Sequence, residues 1–224
     1  MAAMKAPKVP RRLLTRERIL GAAVEFADTE GVAVLTMREL ARRLGFEAMA
    51  LYRHVASKEE ILAGMMDRVL AGVEPIPASP DWAGAIRKGA VDLHAVLEVH
   101  PWAAGLFTRP AAGMQPARLR FVESLLACLE EAAFSPAATY HAYHVLEAHI
   151  VGYSLWLAGH DLTQAERANV AQRMKRGELA GYPRLLEHHK QHRTDGPHRG
   201  VDAFQVGLDL ILTGLAESRD SGMT

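Results

Sequence analysis

The stretch from Leu35 to Leu62, LTMRELARRLGFEAMALYRHVASKEEIL, decides how the first part of this chain folds. Thr36 followed three residues later by Glu39 forms a capping-box pattern, which predicts the start of a short helix. Gly45 comes next, and its freedom to adopt a left-handed conformation suits a helix end before a sharp turn. The stretch therefore predicts a short helix that stops at a tight turn.

A second short helix follows this turn. Leu51 and Val55 are spaced i and i+4, so we expect them to pack against Leu40 and Leu44 of the preceding helix. The opposite face presents small, apolar, phenolic and guanidinium side chains: Ala48, Met49, Tyr52 and Arg53. Such a face fits the major groove of DNA, and two short helices joined by a tight turn indicate a helix-turn-helix DNA-binding unit.

Further helix starts flank this unit on both sides. Upstream, Thr15 is the predicted N-cap of a helix that stops at Gly31. Downstream, Ser57 and Glu60 form a second capping-box pattern, which places Lys58 in the first turn of a long helix. A phosphate can meet both the ammonium group and free backbone N–H groups at such a helix start.

The charge distribution favours nucleic-acid binding by the first part of the chain. Residues 1–58 contain eleven Lys or Arg against six Asp or Glu, a net charge of +5, while the whole chain is formally neutral. A basic module joined to an acidic one is what attraction to phosphates predicts. The basic segment from Lys5 to Arg12 is either a soluble tail or an arm that enters the minor groove, and the residues alone leave both open.

Length and composition limit the remaining classes. With 224 residues and 49% hydrophobic content, the chain can form one small and one larger domain. The single cysteine, Cys128, has no partner for an intrachain disulfide, which favours a reducing compartment. No apolar run is long enough to cross a membrane and no hydrophobic region adjoins the basic N-terminus, so we expect a cytoplasmic protein.

Helical signals also dominate the second part, and we predict an all-α fold for the whole chain. Ser79, as an N-cap before Pro80, predicts a helix over 81–99, and further helices are expected at about 115–133, 136–159 and 200–218, with a helix-containing linker between Asp161 and Pro197. The predicted divisions are a basic flexible arm at 1–14, a three-helix helix-turn-helix domain at 15–72, a Pro-rich hinge at 73–80, a larger helical ligand-binding and dimerisation domain at 81–218 and a tail at 219–224.

Two predicted helices, 136–159 and 200–218, are apolar on more than one face, so both faces must be covered. A homodimer interface in which two chains build a four-helix bundle explains this pattern, and a large monomeric helical core is the alternative. We favour the dimer because a helix-turn-helix of this kind reads two half-sites. The residues predicted at the interface are Tyr140, Tyr143, Ile150, Val151, Phe204, Leu208, Ile211, Leu212 and Leu215.

The first part resembles the TetR family of bacterial repressors. The resemblance rests on ordered motifs: the helix pattern after Thr15, the run Thr36-Met-Arg-Glu-Leu-Ala, the LYRHV segment at 51–55, and Lys58. An ordered set of this kind is far more specific than a single capping box. The resemblance implies a homodimeric, sequence-specific transcriptional repressor that a small-molecule effector releases from a palindromic double-stranded DNA operator.

In this interpretation the helix-turn-helix residues divide into two groups. Contacts to phosphates are expected from Thr36, Tyr52, His54 and Lys58. Contacts to bases are expected from Arg38 on a guanine and from Ala48, Met49 and Ala50 on thymine methyl groups. Arg53 contacts either a phosphate or a base.

The second part resembles the regulatory domain of the tetracycline repressor. Shared features include the Thr108-Arg109-Pro110 break and a terminal helix with the pattern GLxLILxGL. On this alignment the metal-binding His of that repressor falls on Gly105, and its drug-binding Asn, Phe and Gln fall on Gly89, Leu93 and Leu125. The resemblance therefore implies the fold and the mode of dimerisation but not a magnesium-tetracycline ligand, and we expect no cofactor.

A pocket at the corresponding place predicts a small, largely apolar effector with aromatic or fused-ring surface. The residues predicted to line it are Leu93, Leu97, Trp102, Phe107, Phe121, Leu125, His144 and Trp156. A regulator controlled without a small molecule, through a protein partner or a metal, is the alternative.

Two further hypotheses are weaker. Ten of the eleven histidines follow residue 90, and His188 and His192, or His141, His144, Glu147 and His149, make a zinc site conceivable, but their separation argues against one. An enzyme is disfavoured because the chain lacks a Gly-rich phosphate loop and a Gly-x-Ser-x-Gly elbow.

Overall fold

A computed structural model describes residues 13–107, 115–160, 164–194 and 203–220, and this part of the chain is all-helical. The first unit comprises α1 (Arg16–Glu30), a short 3-10 turn (Val32–Val34), α2 (Met37–Leu44), α3 (Ala48–Leu51) and α4 (Lys58–Leu70). The second comprises α5 (Trp82–Val99), α6 (Pro101–Phe107), α7 (Pro116–Glu131), α8 (Pro136–His160), α9 (Gln164–Lys175), α10 (Pro183–Thr194) and α11 (Ala203–Asp220). The all-α prediction is confirmed.

The predicted caps begin and end the helices of the first unit. The side chains of Thr15, Thr36 and Ser57 each accept a hydrogen bond from a backbone N–H three residues on, as N-caps do. Gly45 has φ 76° and ψ 33°, the left-handed conformation that only glycine adopts without strain. The second capping box differs in one respect, because the Glu60 carboxylate accepts from the N–H of Ala56 (2.6 Å), which closes the turn before α4.

Helix boundaries in the second unit follow the prediction with two corrections. The N-cap of α5 is Asp81, whose Oδ1 accepts from Gly84 N at 2.9 Å, whereas Ser79 caps only the N–H of Asp81. A carboxylate two residues closer to the helix therefore displaces the predicted cap. In addition, Pro101 begins a short helix, α6, where none was predicted, which suits proline at a first helical position.

The core of the second unit is built around α8, which packs against α5, α6, α7 and α11. Leu146 lies fully buried at its centre, and Phe204 and Leu208 of α11 are buried beside it. His94 joins three of these helices: its Nδ1 lies 2.9 Å from Ser154 Oγ on α8, and its ring stacks on Phe204. This packing covers one face of α8 within the chain and leaves apolar side chains such as Leu155 and Trp156 exposed on another.

Two side chains of the first unit hold it against the second. Asp28 of α1 accepts a hydrogen bond from the indole N–H of Trp102 (2.6 Å), and the same oxygen lies 2.8 Å from His100 Nδ1. Asp67 of α4 accepts from the backbone N–H of Ala117 (2.9 Å), which belongs to the first turn of α7. The contacts of α1 with α6 and of α4 with α7 are thus fixed by carboxylates.

None of the described helices is long and apolar enough to span a membrane. Several predicted features lie outside the described residues, namely positions 1–12 of the basic arm, the Thr108-Arg109-Pro110 break, the start of the last helix before 203, and the tail beyond 220.

Candidate DNA-binding and effector sites

The outward face of α3 and of the turn after it is the candidate DNA-binding surface. Leu51 and Val55 are buried against the core of the first unit, which orients the other residues of this segment towards solvent. Met49 is 72% exposed and Tyr52 46%, and both are large side chains that a folded domain ordinarily covers. The structure therefore brings an apolar tip and a phenol together on one exposed ridge.

Two arginines of the first unit form ion pairs that stabilise its fold. Arg42 pairs with Glu39, and Arg43 pairs with Glu30 while its guanidinium lies 4.7 Å from the centre of the Phe26 ring. These two cations support the fold of α1 and α2.

Arg38 and Arg53, by contrast, are exposed and form no ion pair with any residue that the structure describes. An exposed guanidinium without a carboxylate partner can donate its N–H groups to a phosphate or a guanine. Arg38 and Arg53 therefore have guanidinium donors available for DNA.

The remaining predicted DNA contacts lie around this ridge with different exposure. His54 is exposed, and Lys58 is half-buried in the first turn of α4. The hydroxyl of Thr36 is exposed and accepts from Glu39 N, which leaves its own hydrogen for a phosphate oxygen. Ala48 and Ala50 are half-buried, and Ala48 packs against the core, so less of these two methyl groups faces outward than the sequence suggested.

The start of α4 is also held by electrostatics. The N–H of Ala56 is the main cause that lowers the pKa of Glu60, and Arg16, 3.3 Å from the same side chain, lowers it further. An ionised Glu60 therefore ties the turn before α4 to α1. This fixes the orientation of the helix whose first turn carries Lys58.

The candidate effector site consists of two neighbouring apolar cavities, one between α4 and the second unit and the other within the second unit. One is lined by Leu70, Val73, Leu93, Phe107, Ala117, Arg118 and Phe121. The other is lined by Leu93, Phe107, Phe121, Val122, Leu125, Tyr143, Glu147, Ile150 and Val151, and its volume is about 20 Å³. That volume holds about one water molecule. The cavities share Leu93, Phe107 and Phe121, so they lie side by side.

Four of the eight predicted lining residues, Leu93, Phe107, Phe121 and Leu125, do line these cavities. The other four do not, as far as the described residues show. Leu97 is buried elsewhere in the core, and the indole of Trp102 is turned to Asp28. His144 is exposed, with Nδ1 2.7 Å from the backbone oxygen of Tyr140, and Trp156 is also largely exposed.

Sequence reasoning missed three polar residues at this site, Arg118, Tyr143 and Glu147. Arg118 pairs with Glu147, which links α7 to α8. A signal was present in the spacing, because Arg118 precedes Phe121 by three residues and Glu147 follows Tyr143 by four. A charged residue on an otherwise apolar helical stripe indicates a buried polar site.

The predicted dimer-interface residues also need correction. Ile150, Val151, Phe204, Leu208 and Leu212 are buried within a single chain, so these five side chains offer almost no surface to a second copy. Tyr140 is exposed, while Tyr143, Ile211 and Leu215 are half-buried. The apolar side chains that α8 and α11 leave exposed are Val145, Leu155, Trp156, Val206 and Leu210.

The histidines of α8 do not gather around a common point. His149 Nε2 lies 2.9 Å from the backbone oxygen of Phe204, His144 contacts a backbone oxygen of its own helix, and Glu147 is paired with Arg118. Among the residues that the structure describes, no three His, Cys, Asp or Glu side chains are grouped as metal ligands would be. The side chain of His192 lies outside the described ones.

Comparisons with known proteins match both parts of the chain. The family model described as bacterial regulatory proteins, tetR family, matches residues 19–65. The model described as Tetracyclin repressor-like, C-terminal domain, matches residues 74–219. Both predicted resemblances are thus confirmed.

Similar proteins span nearly the same length. An HTH-type transcriptional regulator of Saccharopolyspora erythraea is 37% identical over 213 residues, covering 91% of this chain and 85% of that protein. The HTH-type transcriptional repressor DrrR1 of Streptomyces coeruleorubidus is 32% identical over 218 residues, covering 92% and 78%. Among solved structures, a transcriptional regulator of the TetR type from Streptomyces coelicolor has a TM-score of 0.67 and 30% identity, covering 92% of this chain and 99% of that one.

Proposed function

The chain belongs to the TetR family of DNA-binding transcriptional regulators, and from this premise we propose that it is a homodimeric repressor released from a palindromic operator by a small, largely apolar effector. Members of the family are regulators of transcription rather than enzymes. DrrR1, which is 32% identical, is itself described as a repressor.

One observation carries the DNA-binding proposal. The segment from α3 to α4 buries Leu51 and Val55 and exposes Met49 and Tyr52, while the nearby Arg38 and Arg53 lack carboxylate partners among the described residues. An exposed ridge with apolar tips, a phenol and available guanidinium groups matches the chemistry of a major groove and its flanking phosphates.

The dimer proposal rests on the apolar side chains that α8 and α11 leave exposed. Leu210 is 71% exposed, and Val206 lies one turn before it on α11. Leu155 and Trp156 supply further apolar area on α8. Packing these faces against their copies removes apolar surface from water and yields a four-helix bundle with two-fold symmetry.

Release by an effector follows from the position of the cavities. Phe107 of α6 and Phe121 of α7 line both of them, and the first turn of α7 and the first residues of α6 are hydrogen-bonded to Asp67 and Asp28 of the DNA-binding unit. A ligand that enlarges the cavity therefore displaces the helices that hold α4 and α1 in place. Differential affinity for two such arrangements is what changes operator binding.

The alternative is a regulator without a small-molecule effector, and the small cavity volume of about 20 Å³ favours it. The two hypotheses predict different results when small compounds are added to the protein–operator complex. A ligand-controlled repressor loses affinity for its operator when a compound binds the cavity, whereas a partner-controlled regulator keeps that affinity with every small compound.

The first experiment is selection of bound duplexes from a random DNA pool by the full chain at near-physiological salt. We expect an inverted repeat with half-sites about one helical turn apart, or a multiple of it. No enrichment over random DNA would contradict the proposed function.

Variants of the basic residues then separate base contacts from phosphate contacts. Arg38→Ala should relax base preference and weaken specific binding by about 1–3 kcal/mol, while Lys58→Ala should weaken all sequences alike and reduce the salt slope by about one. Lys88→Ala, an exposed lysine on α5 that pairs with Asp92, is the control and should change neither. Equal losses on specific and random DNA in the first two variants would refute this division of roles.

The dimer is tested with Leu210→Glu. A carboxylate at this position should prevent two copies of α11 from packing, because it must stay hydrated, so analytical ultracentrifugation should show a monomer. Leu119→Glu, at an exposed leucine on α7, is the matched control and should leave the dimer intact. A dimer that persists in the first variant would place the interface elsewhere.

A further inference from the structure

Arg118 is an unusual residue to line an apolar cavity. Its side chain is only 15% exposed, it pairs with Glu147 of α8, and its guanidinium lies 5.0 Å from the centre of the Phe107 ring. The pair bridges the two helices that flank the second cavity. Arg118 is therefore a fixed cation, held by one carboxylate and one aromatic face.

One donor of this guanidinium is unused. Arg118 Nε is buried and donates no hydrogen bond to any residue of the part of the chain that the structure describes. A buried N–H without an acceptor is unfavourable, and such groups are rare in folded proteins. Arg118 lines a cavity whose other walls are apolar, so a molecule that enlarges this cavity can supply the acceptor that Nε lacks.

The charges around the site select the kind of acceptor. Glu147 already neutralises Arg118, so a ligand carboxylate would add a second, uncompensated anion in an apolar surrounding. A ligand cation would face the guanidinium. An uncharged oxygen avoids both penalties while accepting a hydrogen bond.

Tyr143 adds a second polar contact. Burial is the main cause that raises the pKa of its phenol, and the neighbouring Glu147 carboxylate raises it further. The phenol therefore stays protonated and lines the same cavity as Glu147. Its O–H is directed to the Glu147 carboxylate, so its oxygen can accept from a hydroxyl group of the ligand.

We propose that the effector is an uncharged, largely apolar molecule with a carbonyl-type oxygen, which accepts a hydrogen bond from Nε of Arg118 while its ring or chain lies among Leu93, Phe107 and Phe121. This rests on the proposed function, since it gives the chemical class of the ligand for the same cavity. The Arg118–Glu147 pair stays intact in the complex and excludes acids.

The test uses three probes of similar shape and the full chain at neutral pH. The probes are 2-acetylnaphthalene, which has a neutral carbonyl, 2-ethylnaphthalene, which has no acceptor, and 2-naphthoate, which is an anion. We expect equilibrium dialysis to show that the ketone binds about five- to tenfold more tightly than the hydrocarbon, the gain typical of one hydrogen bond, and also more tightly than the acid.

Variants then assign this preference to Arg118. Arg118→Lys keeps a positive charge opposite Glu147 but removes the Nε–H, so it should abolish the preference for the ketone while retaining binding of 2-ethylnaphthalene. Arg118→Met should do the same where it folds. Arg120→Met, at an exposed arginine of α7, is the matched control and should bind all three probes as the unchanged chain does.

Several results would overturn the proposal: equal binding of ketone and hydrocarbon, tighter binding of the acid, a ketone preference that survives Arg118→Lys, or no binding of any probe. Operator binding by the same preparations distinguishes a failure of the proposed ligand class from a failure of the proposed function. If the unchanged chain enriches an inverted repeat but shows none of the ketone preference, the ligand class is wrong and the regulator stands. If it enriches no DNA sequence, the proposed function itself fails.

Discussion

Replacing Asp28 by alanine tests how strongly the two units are held together. One oxygen of this carboxylate accepts the indole N–H of Trp102 at 2.6 Å and lies 2.8 Å from His100 Nδ1. Trp102 is buried, so Asp28→Ala leaves its N–H without an acceptor at a site that water reaches poorly. The change therefore removes one hydrogen bond to a charged group and creates an unsatisfied donor.

The magnitude follows from burial. A hydrogen bond to a charged group contributes about 1.5–3 kcal/mol, but the Asp28 side chain is 29% exposed, so the lower part of that range applies. We expect the free energy of unfolding to fall by about 1.5–2 kcal/mol, or about 10- to 30-fold in the equilibrium constant. By comparison, the Asp209 carboxylate, which pairs with Arg87, is 55% exposed. Asp209→Ala should therefore cost about 0.5 kcal/mol or less.

Urea unfolding followed by tryptophan fluorescence measures both variants. Protomer concentration must be the same throughout, because the stability of the proposed dimer would depend on it. We expect Asp28→Ala to lower the midpoint without a change in the slope m, and Asp209→Ala to leave the midpoint almost unchanged. Equal shifts in the two variants would refute the argument that the Asp28 contact is the stronger one.

Two further predictions concern the packing and the capping of α4. A Cβ at Gly64 would lie 2.7 Å from both methyl carbons of Leu20, so Gly64→Ala should lower the free energy of unfolding by about 1–3 kcal/mol. At Gly21 an added Cβ meets only ordinary contacts, so Gly21→Ala should raise the free energy of unfolding by about 0.5–1 kcal/mol. Thermal unfolding measures both variants, and stability changes of the same sign would contradict the close approach of α1 and α4. The pKa of Glu60 is lowered from its ordinary 4.5 by a backbone N–H, so its stabilisation is present above that value and is lost as the pH falls through the lower folded-state pKa. Urea midpoints measured between about pH 6 and about pH 3 should therefore fall less steeply with decreasing pH in Glu60→Gln than in the unchanged chain. Glu130→Gln, at an exposed residue of α7, is the control and should keep the original pH dependence. The original pH dependence in Glu60→Gln would argue against this capping contact.

The DNA-binding unit was predictable from sequence because its signals are local. A cap at Thr36, a left-handed glycine at Gly45 and the i, i+4 pair Leu51 and Val55 act within a few residues, and the structure has each of them as expected. The half-burial of Ala48 and Ala50 was not predictable in the same way. It depends on tertiary packing, since Ala48 lies against the core of the unit, and no spacing rule within a four-residue helix specifies that contact.

In the second unit, local sequence patterns predicted which residues face inward but not which helix each of them packs against. Helix periodicity identified Phe121 and Leu125 as inward-facing residues, but it did not say which neighbour each apolar stripe meets. Phe204 and Leu208 were therefore assigned to a second chain, although α8 of the same chain buries them. When two helices are apolar on several faces, pattern alone does not separate an intrachain contact from an interchain one, since both remove the same surface from water.

The polar contacts that tie the parts together were missed for a different reason. Asp28 and Asp67 both belong to helices of the DNA-binding unit, and each accepts from a group that lies at least fifty residues away in the chain, at Trp102 and at Ala117. The spacing of residues within either helix does not predict a hydrogen-bond partner so distant in the sequence. Both acceptors nevertheless contact the beginnings of α6 and α7, the helices whose later residues line the candidate effector cavities. Under the proposed function, a ligand that pushes α6 and α7 apart stretches at least one of these bonds, so the same two carboxylates carry the displacement to α1 and α4.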